Sequence, residues 1–295
     1  IDLEDYHNFL KTYGEYLIID KPSFVNNIKF MFKYQFGYMY WRYLMWNFTG
    51  KQNDVQGKGG NLNGNWLSGI TPFDEIFLGP QQNLTTDMAT NRGRNTYFFL
   101  PFLLGIIGMI FHAKKDVKSF YVVLVLFLFT GLALKVFLNE RPFEVRERDY
   151  ALVGSFYAFA IWIGLGVFAI YEGIKTYLQP KIAIPITLAA TLLASPVLLA
   201  TENWDDHNRA NKYTALASAK AYLDSCEPNA ILFTIGDNDT FPLWYAQEIE
   251  GFRTDVRIVC TSLFMTDWYI DQMKRKAYES DPIPSSFNRN LYKGS

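Results

Sequence analysis

Positions 139–150 read NERPFEVRERDY and carry seven charges within ten residues, between two long apolar runs. Three of these charges are arginines: Arg141, Arg146 and Arg148. Guanidinium groups are planar forks that grip a phosphate or pyrophosphate through paired hydrogen bonds. A phosphate carried on a lipid would arrive at the depth of such a loop, so these arginines are the expected donor-phosphate contacts. Glu147 and Asp149 are the acidic members of the same candidate site. A solvated loop held by its own ion pairs is the plain alternative for the whole run.

A second candidate is Gly236-Asp237-Asn238-Asp239-Thr240, which follows a short apolar strand pattern at 230–235. In parallel α/β units, ligands bind at the carboxyl ends of strands. Asp237 and Asp239, in a turn with Asn238 between them, can share a divalent cation. That ion is the one cofactor the sequence raises. The alternative is turn chemistry, in which Asp and Asn cap a helix starting near Phe241-Pro242. The other reactive residues are dispersed. His7, His112 and His207 form no ligand cluster, and Cys226 and Cys260 are expected as free thiols. Gly57-Lys58-Gly59-Gly60 lacks the spacing and the preceding strand of a Walker A motif, so 50–69 is read as loop.

The elements that must position these residues are dominated by four apolar runs, 97–113, 120–138, 151–171 and 182–200. A bilayer core about 30 Å thick needs roughly 17–25 apolar residues of helix. We therefore expect four transmembrane helices over 97–200; buried helices of a large soluble core are the alternative. Lys135, the one charge inside a run, is expected to snorkel to the interface. Residues 1–22 form a polar lead. Over 23–48, Phe24, Ile28, Met31, Phe32, Phe36, Met39, Tyr40 and Tyr43 recur at helical spacing. That pattern suits a helix lying on the membrane surface or packed against the spans.

From 201 onward the pattern is α/β: helix 208–226, strand 230–235, helix 241–250, strand 256–260 and helix 266–278, with the strands parallel. Two strands make no stable sheet alone, and position 1 is not methionine, so a longer native chain is expected. The fold class expected is an α-helical polytopic membrane protein with an attached α/β segment. Aromatic residues make up 17% of the chain, in keeping with a large lipid–water interface, and a net charge of −1 gives no reason to expect a nucleic-acid partner. Lys and Arg occur in connections at both ends of the spans, so counting them does not orient the protein. An even number of spans places 1–96 and 201–295 on one side, expected to be extracytoplasmic.

Three stretches resemble a known family. They are 38–48 (YMYWRYLMWNF) with Gln52-Asn53-Asp54; 146–150 (RERDY) with 153–164 (VGSFYAFAIWIG); and 236–245 (GDNDTFPLWY) with 250–256 (EGFRTDV) and 266–269 (TDWY). Together they resemble a bacterial integral-membrane family long labelled a domain of unknown function. That family is similar to an animal transmembrane protein O-mannosyltransferase and to the GT-C class of glycosyltransferases. Lys51 and Val145 stand where the family pattern has arginine and proline. The resemblance implies a bacterial inner-membrane protein with its soluble parts in the periplasm. It also implies transfer of mannose or another hexose from a polyprenyl-phosphate donor to an extracytoplasmic protein acceptor, with membrane lipid as the medium. The family's acidic catalytic motif lies upstream of these residues, so no catalytic residue is assigned here.

A non-enzymatic scaffold anchoring an interaction domain is the rival reading, and a transporter of lipid-linked substrate is a second. A transporter would carry more ionisable residues inside its spans. If the arginine run grips phosphate, Arg146→Ala weakens donor binding far more than Lys115→Ala; equal effects on measured donor affinity would remove the idea.

Overall fold

The computed structural model describes residues 8–9, 11–16, 21–142 and 147–294. The chain divides into two compact units, Ile1–Asn208 and Arg209–Ser295.

In the first unit, α1 (Phe24–Phe30) runs on through a π-helical stretch, Met31–Trp41, into α2 (Arg42–Phe48). Ser23 caps its start by accepting from the Asn26 N–H. The continuous helix packs against the apolar bundle from Met39 onward, where Met39, Tyr40, Leu44, Met45 and Phe48 are buried. Tyr40 meets Phe127 edge-on and Phe156 at a tilt, and shares a 2.6 Å hydrogen bond with Ser155. Of the two placements expected for this helix, its second half adopts the one against the spans.

Two-residue strands β1 (Gly50–Lys51) and β2 (Asn95–Thr96) pair antiparallel, with α3 (Thr71–Leu78) and α4 (Thr86–Ala89) between them. Next come α5 (Leu100–Lys115), α6 (Val117–Leu128), a π turn and α7 (Leu134–Leu138). They are followed by α8 (Val153–Ile174), α9 (Pro180–Leu192), a second π turn and α10 (Leu198–His207). Among the described residues three continuous helices are long and apolar enough to cross a membrane, Val117–Leu138, Asp149–Ile174 and Pro180–His207, and the chain reads as an integral membrane protein.

The expectation of four spans is corrected to three. Phe98 and Phe99 hold φ of 52° and 59°, so the helix cannot begin before Leu100. It stops at Lys115 because Asp116 leaves helical geometry to cap α6 through the Lys118 and Ser119 N–H groups. Sixteen residues remain, reaching about 24 Å at 1.5 Å per residue. This short helix lies alongside α8 at backbone contact: a Cβ on Gly108 would fall on the Trp162 carbonyl, and one on Gly166 on the Leu104 carbonyl. Small residues allowing such approach are a recurrent means of joining helices in membranes.

Lys135 does not snorkel. It is 2% exposed and pairs with Glu140 at 2.7 Å, because the left-handed Asn139 at the end of α7 turns the chain back over it.

In the second unit, α11 (Thr214–Asp224) precedes β3 (Ile231–Thr234), α12 (Asp237–Glu248), β4 (Arg257–Cys260) and α13 (Asp267–Met273). The two strands are parallel, with Ile231 opposite Arg257 and Thr234 opposite Cys260, and α12 makes the crossover. The helix expected from 208 starts six residues later, after a turn with Asn211 at φ 61°. The last helix ends early because Ala277 and Ser280 pair around Tyr278, whose φ is 52°. Both cysteines are free thiols.

Overpacking a tight helix contact costs about 1–3 kcal/mol. Gly108→Leu is therefore expected to lower the thermal unfolding midpoint of the detergent-solubilised protein by several degrees. Gly164→Leu, on the exposed side of α8 with open space around its Cα, should leave it unchanged.

Candidate functional site

The site is built around Arg42, the charged residue of α2, 8% exposed. Its Nε donates to the Tyr38 carbonyl one turn back at 3.0 Å, and its guanidinium lies 4.4 Å from the centre of the Tyr38 ring. One terminal nitrogen donates to the Gly64 carbonyl in the loop, and the other to Glu147 at 2.7 Å. Gly64 takes φ 69° and has the Gly57 backbone where a side chain would stand, so it must be glycine. A buried charge needs a full set of partners, and three separate stretches of chain supply them.

Apart from β1 and a bridge between Lys51 and Trp66, the stretch 50–69 is loop, as expected, but its amides tie it into a fixed shape. Asn53 Oδ1 accepts from the Val55 and Gly64 N–H groups, and its Nδ2 donates to Asn63. Gln52 Nε2 donates to the Asn61 carbonyl, and its Oε1 accepts from Asn65. Gln56 Oε1 accepts the backbone N–H of Glu147, bringing the charged connection onto the loop.

Between them lies a cleft of about 230 Å³, bounded by Arg42, Tyr43, Trp46, Asn53, Asp54, Gln56, Glu147 and Asp149. Tyr43 and Trp46 are stacked, with ring centroids 5.3 Å apart. Burial raises the Tyr43 phenol above its ordinary pKa, the Asp149 carboxylate adds to this, and Arg42 works against it. Burial likewise raises Tyr38, opposed by Arg42. Asp149 Oδ1 is buried and has no hydrogen-bond partner among the described residues.

The structure thus brings together Glu147 and Asp149 of the expected residues. Arg141 and Arg148 are exposed and do not line the cleft; the Arg141 carbonyl accepts from Tyr34 at 3.5 Å. Arg146 lies outside the described residues. Asp237, Asn238 and Asp239 are exposed in the first turn of α12, not in a turn before it. Residues two apart in a helix face different directions, so the two carboxylates diverge, and Asp239 accepts from the Ile235 N–H at 3.3 Å. Among the described residues no group of three or more His, Cys, Asp and Glu is placed to hold a metal ion.

Sequence reasoning missed Arg42, Tyr43, Trp46, Asn53, Asp54 and Gln56 as site residues. The available signal was a lone arginine within an aromatic helix, followed closely by an amide-rich loop.

Chemically, the cleft pairs two aromatic faces with carboxylates and amides, and it holds more acid than base. Aromatic faces suit the apolar face of a sugar ring, while carboxylates and amides take up hydroxyl groups. A surplus of acid disfavours a phosphate inside it. Fold and cleft together describe a helical membrane protein with a polar, aromatic-walled site over its bundle. A family model described as TMEM260-associated domain 2 matches residues 215–295, the α/β unit, and links the chain to that family. No curated protein and no solved structure matches the chain.

Removing one member of a buried ion pair costs about 3–5 kcal/mol, whereas replacing both with apolar residues is often neutral. Glu147→Ala should destabilise the protein by roughly 3 kcal/mol, and Arg42→Met with Glu147→Met should recover most of it. A double-mutant cycle on unfolding free energies checks this.

Proposed function

We propose that the protein is a membrane glycosyltransferase of GT-C type, moving a hexose from a polyprenyl-phosphate donor to a protein hydroxyl on the extracytoplasmic side. The observation carrying this reading is the composition of the Arg42–Asp149 cleft. Tyr43 and Trp46 provide the stacking surface, Asn53 and Gln56 the neutral amides, and Asp54 and Asp149 the hydroxyl acceptors. The link to the TMEM260 family agrees with it.

On this reading Asp149, with a buried unpartnered oxygen, holds a sugar hydroxyl. Arg42, itself a wall of the cleft, fixes Glu147 and the loop so that the cleft keeps its shape. Arg141 and Arg148 contact the lipid phosphate outside the cleft, where exposure leaves their forks free to reach it, and Arg146, between them in sequence, is assigned the same role. Proton removal from the acceptor and stabilisation of the departing phosphate are the two chemical demands of such a transfer. The first is assigned to a carboxylate upstream of these residues, as the resemblance implies.

The rival is a non-enzymatic scaffold. One observation favours it: Arg42–Glu147 and Lys135–Glu140 are both buried pairs that hold the charged connection against the bundle.

Extracytoplasmic glycopeptides from source cells with and without the intact protein separate the two by mass spectrometry. Loss of a hexose attached directly to Ser or Thr is expected on deletion. A hydrogen bond to a charged group contributes about 1.5–3 kcal/mol, so Asp149→Asn should restore at most about a tenth of the modification at wild-type protein levels. Unchanged glycopeptides in the deletion would make the scaffold the better reading.

A further inference from the structure

The first turns of the long helix carry a surface that the cleft does not use. Phe24, Val25, Ile28 and Phe32 are exposed, Phe24 by 79% and Phe32 by 59%. Phe24, Ile28 and Phe32 recur every four residues, which places them on one side of a helix. Lys29 and Lys33, also four apart, are exposed beside this stripe and have no carboxylate partner among the described residues. On the other side of the lysines, the rings of Phe30, Tyr34 and Tyr38 stack in succession at 5.0 and 5.6 Å. With Gly59 they enclose a mainly apolar groove of about 360 Å³ that Lys29 and Lys33 border.

The level of this surface is fixed by two contacts. Gln35 Nε2 donates to Asn139 Oδ1 at 3.1 Å, and Tyr34 donates to the Arg141 carbonyl at 3.5 Å. Asn139 is the first residue after the membrane-length helix Val117–Leu138. The bundle end of the stripe, at Phe32 and Lys33, therefore lies next to the point where that helix leaves the hydrocarbon, the depth at which lipid phosphates lie.

We propose that Lys29 and Lys33, with the groove behind them, seat the head group of an anionic bilayer phospholipid, its acyl chains covering Phe24, Val25, Ile28 and Phe32. Two cations bordering an apolar stripe complement an amphiphile with a negative head and an apolar tail, the pattern of interfacial helices. A lysine close to an anionic lipid surface strengthens binding several-fold, so the pair contributes on the order of tenfold or more. This inference does not depend on the proposed glycosyl transfer, since it is read by lipid retention alone.

The test uses the full chain in nanodiscs of phosphatidylcholine mixed with phosphatidylglycerol, followed by native mass spectrometry of retained lipid. Wild type should retain phosphatidylglycerol, and Lys29→Gln with Lys33→Gln should retain it at least about tenfold less. A control pair at the other end of the bundle, Lys114→Gln with Lys118→Gln, should match wild type. Phe24→Ser with Ile28→Ser should also lose retention. All these positions are exposed, and unchanged helical melting curves identify folded variants. Retention unaffected by the Lys29 and Lys33 changes would overturn the proposal. So would displacement of phosphatidylglycerol by equimolar polyprenyl phosphate, which would assign the groove to a substrate lipid, or by inorganic phosphate, which would leave the chains without a role.

Discussion

Arg42 carries a full charge where almost no water reaches it, and the upper part of the first unit is arranged to answer that charge. Its partners come from its own helix at Tyr38, from the loop at Gly64 and from the connection between spans at Glu147. A buried ion pair adds little net stability, because desolvation offsets most of the attraction. Its effect is selective: arrangements that leave the guanidinium without Glu147 or Gly64 are several kcal/mol worse. The cleft walls are thereby held in register, although few of them touch Arg42.

Beneath this polar cap the bundle obeys a different rule. Gly108 and Gly166 bring α5 and α8 to backbone contact, and Phe159 and Trp162 fill the space beside them. Polar groups at one end of the bundle then join distant pieces. Lys51 pairs with Asp206 at 3.2 Å, Asn95 donates to the Glu202 carbonyl, and Tyr97 donates to Asn203 at 2.9 Å. These contacts put the loop before α5 and the end of α10 at the same end of the bundle. Counting lysines and arginines along the chain could not do so.

The second unit has its own core, in which Leu223, Leu243, Val256 and Ile258 pack between the two strands and their helices. Arg253 joins its parts by donating to the carbonyls of Leu223, Cys226 and Glu227 and to Asp255, whose carboxyl is thereby held down at about 2. This region carries the family match. The carboxyl end of its first strand, attractive by analogy with other parallel units, turns out to be the start of a helix with outward-facing aspartates.

The amino-acid sequence alone determined what depends on local pattern. Apolar length marked the membrane helices, alternation of strand and helix marked the parallel pair, and the distribution of two cysteines marked free thiols. It singled out Glu147 and Asp149 because charges crowded between spans must be solvated, paired or used. Tertiary structure alone decided the rest, for identifiable reasons. Whether Lys135 reaches the interface or folds under Asn139 depends on the path of the chain after the helix. The length of α5 depends on two left-handed phenylalanines that no periodicity reveals. The cleft itself depends on Arg42 meeting Glu147 across more than a hundred positions of sequence. A contact between residues so far apart leaves no local spacing to read; it exists only once the loop and the bundle have closed around a charge that must be satisfied.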